Sequence, residues 1–226
     1  LTNNDTYDGS PNWSPDGSKI VFSSAVNGNS DLYTMSIDGT GLTRLTTNPY
    51  NDFDAAWSPD GTQIAFRSHH DGPADIYVIQ VDGSGLRNLT NTSGIHERNS
   101  KWSPDGKWIA YVSDASGENE IWVVPQDGTG PARQVTKTGD SYMYRIEWSP
   151  DSKKICYVDN SKSLYMVDVQ TGVIKKIDSD ALYSPGQFRK LISDWSSDSR
   201  WILYTKVTET HFKVVYLYSV DQQRSF

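Results

Sequence analysis

The sequence predicts an all-β protein, a β-propeller of five four-stranded blades. The first observation is the segment Trp-Ser-Pro-Asp-Gly, which is followed by a short apolar run and returns along the chain with small changes. Its five copies begin at Trp13, Trp57, Trp102, Trp148 and Trp195, with spacings of 44, 45, 46 and 47 residues. A period of about 40 to 50 residues, with a Trp and a tight turn in each copy, is typical of propeller blades.

The second observation is that each repeat divides into four short strands, a to d. In the first repeat the predicted strands are Ser10 to Ser14, Lys19 to Ser24, Asp31 to Ile37 and Leu42 to Thr46. A Ser-Pro-Asp-Gly turn joins strands a and b, and an Asp-Gly turn joins strands c and d, both of which are common hairpin signals. The same order recurs through the chain.

The repeats span approximately residues 3–46, 47–90, 91–136, 137–178 and 179–226, with residues 1–2 as a candidate closing strand. Ser152 and Ser199 replace the turn glycine in repeats four and five. A residue other than glycine in the left-handed region costs on the order of 1 kcal/mol. We therefore expect either a different turn there or packing that absorbs this cost.

The two chain ends together complete one repeat period, because the residues before Trp13 supply what the last repeat lacks. Two interpretations follow. One is a closed five-bladed ring, in which Leu1 and Thr2 pair with strand c of the last blade. The other is a fragment of a larger ring whose two ends fall at the same position within the repeat. Because the chain is cut within one outer strand, we expect blade five to be less stable than it would be in a closed ring and the least stable of the five.

The composition and net charge of the chain argue against several classes of function. The chain of 226 residues is 36% hydrophobic and carries a net charge of −7, which argues against nucleic acid as a partner. It has no run of 18 apolar residues, so the sequence predicts no membrane span. The single cysteine, Cys156, has no internal disulfide partner and lies in an apolar strand pattern, so we expect it to be buried.

The repeats resemble the PD40 repeat of TolB-type propellers. The resemblance rests on Trp-Ser-Pro-Asp-Gly with its following apolar strand, then Asp-Ile/Leu-Tyr, then Asp-Gly-x-Gly-Leu, then Leu-Thr, and it covers the whole chain. It implies a propeller that is WD40-like in architecture, an extracytoplasmic, periplasmic location in a bacterium, and binding of a protein or peptide.

The second half is similar to a narrower family, the N-terminal propeller of tricorn-type serine peptidases. The similar segments are residues 144–155, with Leu164-Tyr165 and Ile177-Asp178, and residues 193–196 with 201–204. In that family the propeller guides peptides towards a separate catalytic domain. The resemblance implies a substrate-gating role, with the catalytic domain outside this chain.

The chain contains no catalytic signature: no Gly-x-Ser-x-Gly, no Walker loop and no His-Glu-x-x-His. We therefore predict no catalytic residues, no metal and no cofactor. The repeated turn aspartates are expected to bond their own turns, which lie too far apart to converge. The repeated tryptophans are expected to pack between neighbouring blades.

The candidate binding residues lie at one end of the blades. In a four-stranded meander the b–c loops and d–a connections share one end, here called the loop end, and the a–b and c–d turns share the other, the turn end. Aromatic residues and both signs of charge at a loop end suit a peptide or a glycan. The predicted residues are Tyr7, Asp8, Asp52, Phe53, His70, His96, Glu97, Arg98, Tyr144, Arg145, Phe188 and Arg189.

The leading hypothesis is a non-catalytic binding or scaffold module that recognises a protein or peptide at the loop end. The alternatives are the gating propeller of a tricorn-like peptidase and a carbohydrate-active, lyase-like propeller. A metal site built from His70, Asp71, His96 and Glu97 is a weaker form of the third hypothesis, because two histidines in neighbouring loops are little evidence.

Overall fold

The computed structural model consists of five four-stranded antiparallel sheets, and the residues it describes include no helix. These residues are 2–70, 72–139, 142–180, 193–207 and 212–226. Within them, no helical segment has the length and apolar character needed to cross a bilayer. Each sheet is one sequence repeat, so the prediction of an all-β propeller with five four-stranded blades is confirmed.

In every blade the four strands have the same order in the sheet as along the chain. Blade one consists of β1 (Asp8–Trp13), β2 (Lys19–Ser24), β3 (Asp31–Ser36) and β4 (Thr43–Arg44). Blade two consists of β5 (Asp52–Trp57), β6 (Gln63–Ser68), β7 (Asp75–Gln80) and β8 (Arg87–Asn88). Blade three consists of β9 (Glu97–Trp102), β10 (Trp108–Ser113), β11 (Glu120–Pro125) and β12 (Arg133–Gln134).

The last two blades have the same meander. Blade four consists of β13 (Met143–Trp148), β14 (Lys154–Asp159), β15 (Ser163–Asp168) and β16 (Ile174–Ser179). Blade five consists of β17 (Ser193–Trp195), β18 (Trp201–Val207), β19 (Lys213–Ser219) and β20 (Arg224–Ser225). The outer strand of blade five is thus the chain's own C-terminal strand. Thr2 is in no strand, and Leu1 lies outside the described residues.

The chain forms two compact units. Unit one comprises residues 1–117 and 122–133, and unit two comprises residues 118–121 and 134–226. In unit one, Val21 and Leu32 of blade one belong to the same buried cluster as Ile64 and Phe66 of blade two. In unit two, a second cluster joins blades four and five and includes Cys156, which is 1% exposed, as predicted.

The a–b turn is built alike in all five blades. In blade one, the Ser14 hydroxyl donates to Asp16 Oδ1 at 2.6 Å and accepts from Lys19 N at 2.9 Å, while Ser18 N donates to the same Asp16 oxygen at 3.0 Å. The Ser14 hydroxyl and the Ser18 amide lower the pKa of Asp16 to about 2. These aspartates therefore bond their own turns, as predicted.

The serines that replace the turn glycine keep the same turn. Ser152 and Ser199 have φ of 60° and 62°, close to the 70° of Gly17. The Ser199 hydroxyl accepts a hydrogen bond of 3.0 Å from Asp151 N in the neighbouring turn, and this contact offsets part of the conformational cost. Of the two expected outcomes, Ser199 therefore shows the second: the turn is unchanged, and a contact offsets its conformational cost.

The tryptophan that ends strand a hydrogen-bonds to the backbone of the preceding blade. In unit one, the indole N–H of Trp57 donates to Asn12 O at 3.3 Å and that of Trp102 to Ala56 O at 3.1 Å. In unit two, Trp195 donates to Glu147 O at 3.3 Å. The prediction that these tryptophans pack between neighbouring blades is thus confirmed at three junctions.

Strand d is shorter than predicted in the first three blades, where β4, β8 and β12 have two residues each. The reason is that a threonine hydroxyl replaces the backbone acceptor beyond each strand. Thr46, Thr90 and Thr136 accept hydrogen bonds of 2.9, 3.1 and 2.8 Å from the second residue of strand c. The repeated Leu-Thr pair therefore ends the ladder instead of extending it.

Strand a begins two residues earlier than predicted in blade one and contains a β-bulge. The register of β1 and β2 shifts between Gly9 and Asn12, and Ser10 has φ of 49°. Blades two and three repeat the bulge, with Asp54 and Asn99 at φ of 56° and 57°. The bulge changes the direction of the side chains near the loop end of strand a.

We predict that blade five opens more readily than blade three. Leu203 of β18 is 48% exposed, whereas Ala110, at the matching position of β10, is 0% exposed; Val215 of β19 is 61% exposed. Blades that bury less apolar surface open at lower free energy. Native-state hydrogen exchange, read by mass spectrometry on peptides covering residues 201–207 and 108–113, should show lower protection in blade five. Equal protection of the two peptides would contradict this prediction.

Candidate binding surfaces

An aromatic cluster lies at the loop end of blade two. The Tyr50 ring centroid is 4.9 Å from that of His70, and the Phe53 centroid is 6.4 Å from that of His69. The backbone supports this arrangement, because His69 N donates to Asn51 O at 3.2 Å. Two predicted residues therefore belong to ring pairs at this loop end: Phe53, which is in β5, and His70, which is in the b–c loop. Tyr50 was missed, although its position before strand a marks it.

A second cluster lies at the loop end of blade four, in unit two. The rings of Tyr142 and Tyr144 are 4.8 Å apart and 41% and 42% exposed. Beside them, Arg145 Nε lies 3.3 Å from Glu147 Oε1. Since β13 is irregular between Met143 and Arg145, the predicted residues Tyr144 and Arg145 lie at the bulge of this blade.

Two predicted carboxylates are buried instead of exposed. Asp52 and Glu97 are the first residues of β5 and β9, and they are 0% and 1% exposed. Burial raises the pKa of Asp52, although Asn48 Nδ2 donates a hydrogen bond of 2.9 Å to its Oδ2. The carboxylate at the start of strand a is thus buried, and in blade two it accepts a hydrogen bond from Asn48 of the d–a connection.

The Glu97 carboxylate is paired with another acid. The Thr92 hydroxyl lies 2.9 Å from Asp75 Oδ1 and 3.3 Å from Glu97 Oε1, and Ile76 N donates to Glu97 Oε2 at 3.3 Å. Burial, and then the nearby Asp75, raise the pKa of Glu97 to about 7, against the hydrogen bonds that lower it. Asp75 was missed, although the acidic residues that begin each strand c in the first three repeats mark it.

The equivalent site in unit two has only one carboxylate. Met143, which is 0% exposed, occupies the position that Asp52 and Glu97 have in blades two and three. Glu120 accepts hydrogen bonds from Thr136 Oγ1 at 2.5 Å and from Gly139 N at 2.9 Å. The acid that begins strand c therefore orders the d–a connection without a second carboxylate, and the acid at the start of strand a is not needed for this fold.

The other predicted residues are distributed as follows. Tyr7 is 64% exposed, and Asp8 accepts a 3.0 Å hydrogen bond from Asn4 Nδ2. His96 is exposed, its backbone N–H donating to Asp114 Oδ1 at 2.8 Å, and Arg98 is half-buried in β9. Phe188 and Arg189 lie outside the described residues, as does Asp71 of the weaker metal hypothesis. In the part of the chain that is described, no three His, Cys, Asp or Glu side chains form a metal-binding group.

We predict that Glu97→Gln stabilises the protein at alkaline pH. A pKa raised from 4.5 to about 7 on folding means that the stability present below pH 4.5 is lost as the pH rises through 7. The change in unfolding free energy caused by Glu97→Gln should become more favourable by about 3 kcal/mol between pH 4 and pH 8. Urea unfolding at several pH values measures this difference. The control is Glu118→Gln at an exposed position, and an equal pH dependence in both variants would refute the prediction.

The family model of the TolB beta propeller domain, PD40, matches residues 1–92 and 68–225. Among solved structures, TolB from Acinetobacter baumannii is 23% identical and aligns over 97% of this chain and 53% of its own, with a TM-score of 0.69. A putative TolB from Agrobacterium tumefaciens is 20% identical, over 99% and 80% of the two chains, with a TM-score of 0.69. No curated protein matches.

Peptidase propellers have the same fold. A puromycin-hydrolyzing peptidase of Mycobacterium tuberculosis is 14% identical, and it aligns over 98% of this chain and 37% of its own, with a TM-score of 0.70. At these identities the structural likenesses show the fold alone. The family model, in contrast, matches almost the whole sequence, so the chain belongs to the TolB beta-propeller domain family.

Proposed function

We propose that this chain is a non-catalytic binding module that recognises a protein or peptide at the loop ends of its blades. One observation carries the proposal. Among the described residues, all tyrosines that are at least 40% exposed lie at loop ends. They are Tyr7, Tyr50, Tyr142 and Tyr144, with exposures of 64, 40, 41 and 42%.

Tyrosine suits recognition of polypeptides because its ring gives a large rigid contact and its hydroxyl a hydrogen bond. Beside Tyr144, Arg145 adds a cation, and beside Tyr50, His70 adds a second polar ring. Aromatic residues and arginine are the types enriched at protein interfaces. The family resemblance supports the same function and an extracytoplasmic location, which we also propose for this chain.

The chain spans 53% of Acinetobacter baumannii TolB, so the activity of a whole protein containing it is a separate proposal. The second candidate is the propeller of a peptidase. It is favoured by the alignment of 98% of this chain with 37% of the Mycobacterium tuberculosis peptidase. In that case the loop ends would contact peptide substrates, and the catalytic groups would lie outside this sequence.

Photo-crosslinking tests the position of the binding surface. A benzoylphenylalanine placed at Tyr144 should form polypeptide adducts in an extracytoplasmic extract of the source organism, and Arg145→Ala should lower their yield about fivefold or more. The matched control places the same probe at Val173, which is 66% exposed at the turn end of the same blade. Adducts of equal yield and identity at the two positions would contradict the proposal.

Activity separates the candidates. The binding-module proposal predicts no hydrolysis of fluorogenic peptides and no cleavage of pectin by this chain. If the protein encoded by the full reading frame hydrolyses peptides and this chain does not, the gating function is favoured. Cleavage of pectin by this chain alone would instead support the carbohydrate-active alternative and refute both others.

A further inference from the structure

A cavity of about 390 Å³ lies at the turn end of unit one, between blades two and three. Its volume is within the range of small-ligand sites. It is on the end of blade two opposite to the aromatic cluster of that blade, and no residue predicted from the sequence to bind a ligand lines it. The lining residues are Ser58, Pro59, Asp60, Gln63, Trp102, Pro104, Asp105, Gly106 and Gln126.

The neighbouring junction in the same unit is closed where this one is open. Between blades one and two, a Cβ added to Gly61 would lie 3.7 Å from Pro15 Cδ, so the proline of one turn packs on the glycine of the next. A Cβ added to Gly106, the equivalent glycine of blade three, would have nothing within 4 Å. The repeat alone does not produce the cavity; it is a property of this junction.

The cavity is lined by hydrogen-bond acceptors. Asp60 and Asp105 are the turn aspartates of blades two and three. The Ser58 hydroxyl and the Thr62 amide lower the pKa of Asp60, and hydrogen bonds from Ser103 and from Lys107 N lower that of Asp105 against the effect of burial. Both therefore stay ionised well below neutral pH. Asp60 and Asp105 therefore line the same cavity as two ionised carboxylates.

A buried amide oxygen also lacks a donor. Gln63 Oε1 is inaccessible to solvent, and none of the described residues donates a hydrogen bond to it. An unpaired buried acceptor costs on the order of 1–3 kcal/mol. Because Gln63 lines the cavity, a rotation of its side chain would bring this oxygen to a ligand that carries several N–H donors, and the new hydrogen bond would remove this cost.

The aromatic wall of the cavity is Trp102. Its indole N–H donates to Ala56 O at 3.1 Å, and the side chain packs against the buried cluster that contains Ile109 and Val124 while it also lines the cavity. A planar cation stacks on an indole better than on any other side chain. An aromatic surface, two carboxylates and an unpaired acceptor together match a guanidinium, which is planar, always charged and carries five N–H donors and no acceptor.

We propose that this cavity binds the guanidinium group of an arginine side chain presented by a partner peptide. Lysine fits less well, because its ammonium has three donors and no plane to stack. The cavity also has an internal competitor. Lys107 Nζ lies 3.6 Å from Asp105 Oδ2, but its side chain is 75% exposed, so water screens this pair and an incoming cation can displace it.

The test uses the full chain and two small probes, N-acetyl-arginine amide and its neutral isostere N-acetyl-citrulline amide. Binding is read from the indole N–H resonances in ¹⁵N NMR spectra, with the Trp102 signal identified by Trp102→Phe. We expect the arginine probe to shift the Trp102 resonance with saturation in the millimolar range and less at high salt. The citrulline probe should leave the resonance in place.

Variants distinguish a built site from a general attraction to an acidic protein. Asp60→Asn should weaken the arginine probe about fivefold or more, whereas Asp16→Asn, which loses the same turn bonds at the closed junction, should not. Gln63→Met leaves the a–b turn intact and should also weaken binding. Lys107→Gln should strengthen it about twofold.

Three results would overturn the proposal. They are an equal shift with citrulline, an equal loss of affinity in Asp60→Asn and Asp16→Asn, and movement of other indole resonances without that of Trp102. Because Gln63 and Lys107 bond to the serine or aspartate of their a–b turns through backbone N–H groups, replacing their side chains keeps those bonds, and these variants decide the question even if Asp60→Asn does not fold.

Discussion

The hydrogen bond from a strand-a tryptophan to the backbone of the preceding blade is the contact on which neighbouring blades depend for their register. Trp57 and Trp102 each donate to a carbonyl 45 or 46 residues earlier. Strand a ends at the tryptophan. The serine that follows it donates a hydrogen bond to the turn aspartate, and this bond closes the a–b turn. The repeated segment therefore holds an indole against the preceding blade.

This constraint leaves the loop end free to vary. Asp52, Glu97 and Met143 occupy one position in three blades, yet the first two are acidic and the third is apolar. A buried carboxylate with a raised pKa costs stability near neutral pH, and the methionine shows that the fold does not need it. The acids that begin strand c are the ones with a constant structural task, since Asp75 and Glu120 both accept hydrogen bonds from the d–a connection.

The fold was largely predictable because its signals are local. The Ser-Pro-Asp-Gly turn and the apolar run of strand b follow from turn geometry and alternation, and β2 has the predicted bounds. Strand d was predicted too long, since the pattern of Leu45 and Thr46 does not tell whether a side-chain or a backbone oxygen completes the ladder. The bulge at Ser10 and the inward direction of Asp52 depend on neighbouring strands, so a single repeat carries no signal for them.

The residues of the proposed cavity site were harder to predict for a related reason. A repeat shows what blades have in common, whereas a site specific to one junction arises where two copies differ. Pro15 packs on Gly61, whereas Gly106 has no such neighbour. All three residues nevertheless belong to copies of the same segment, Trp-Ser-Pro-Asp-Gly. At such a junction the turn that fixes the fold also holds Asp60 and Asp105 ionised and in place, so the rigidity needed for register is also the preorganisation that a ligand would use.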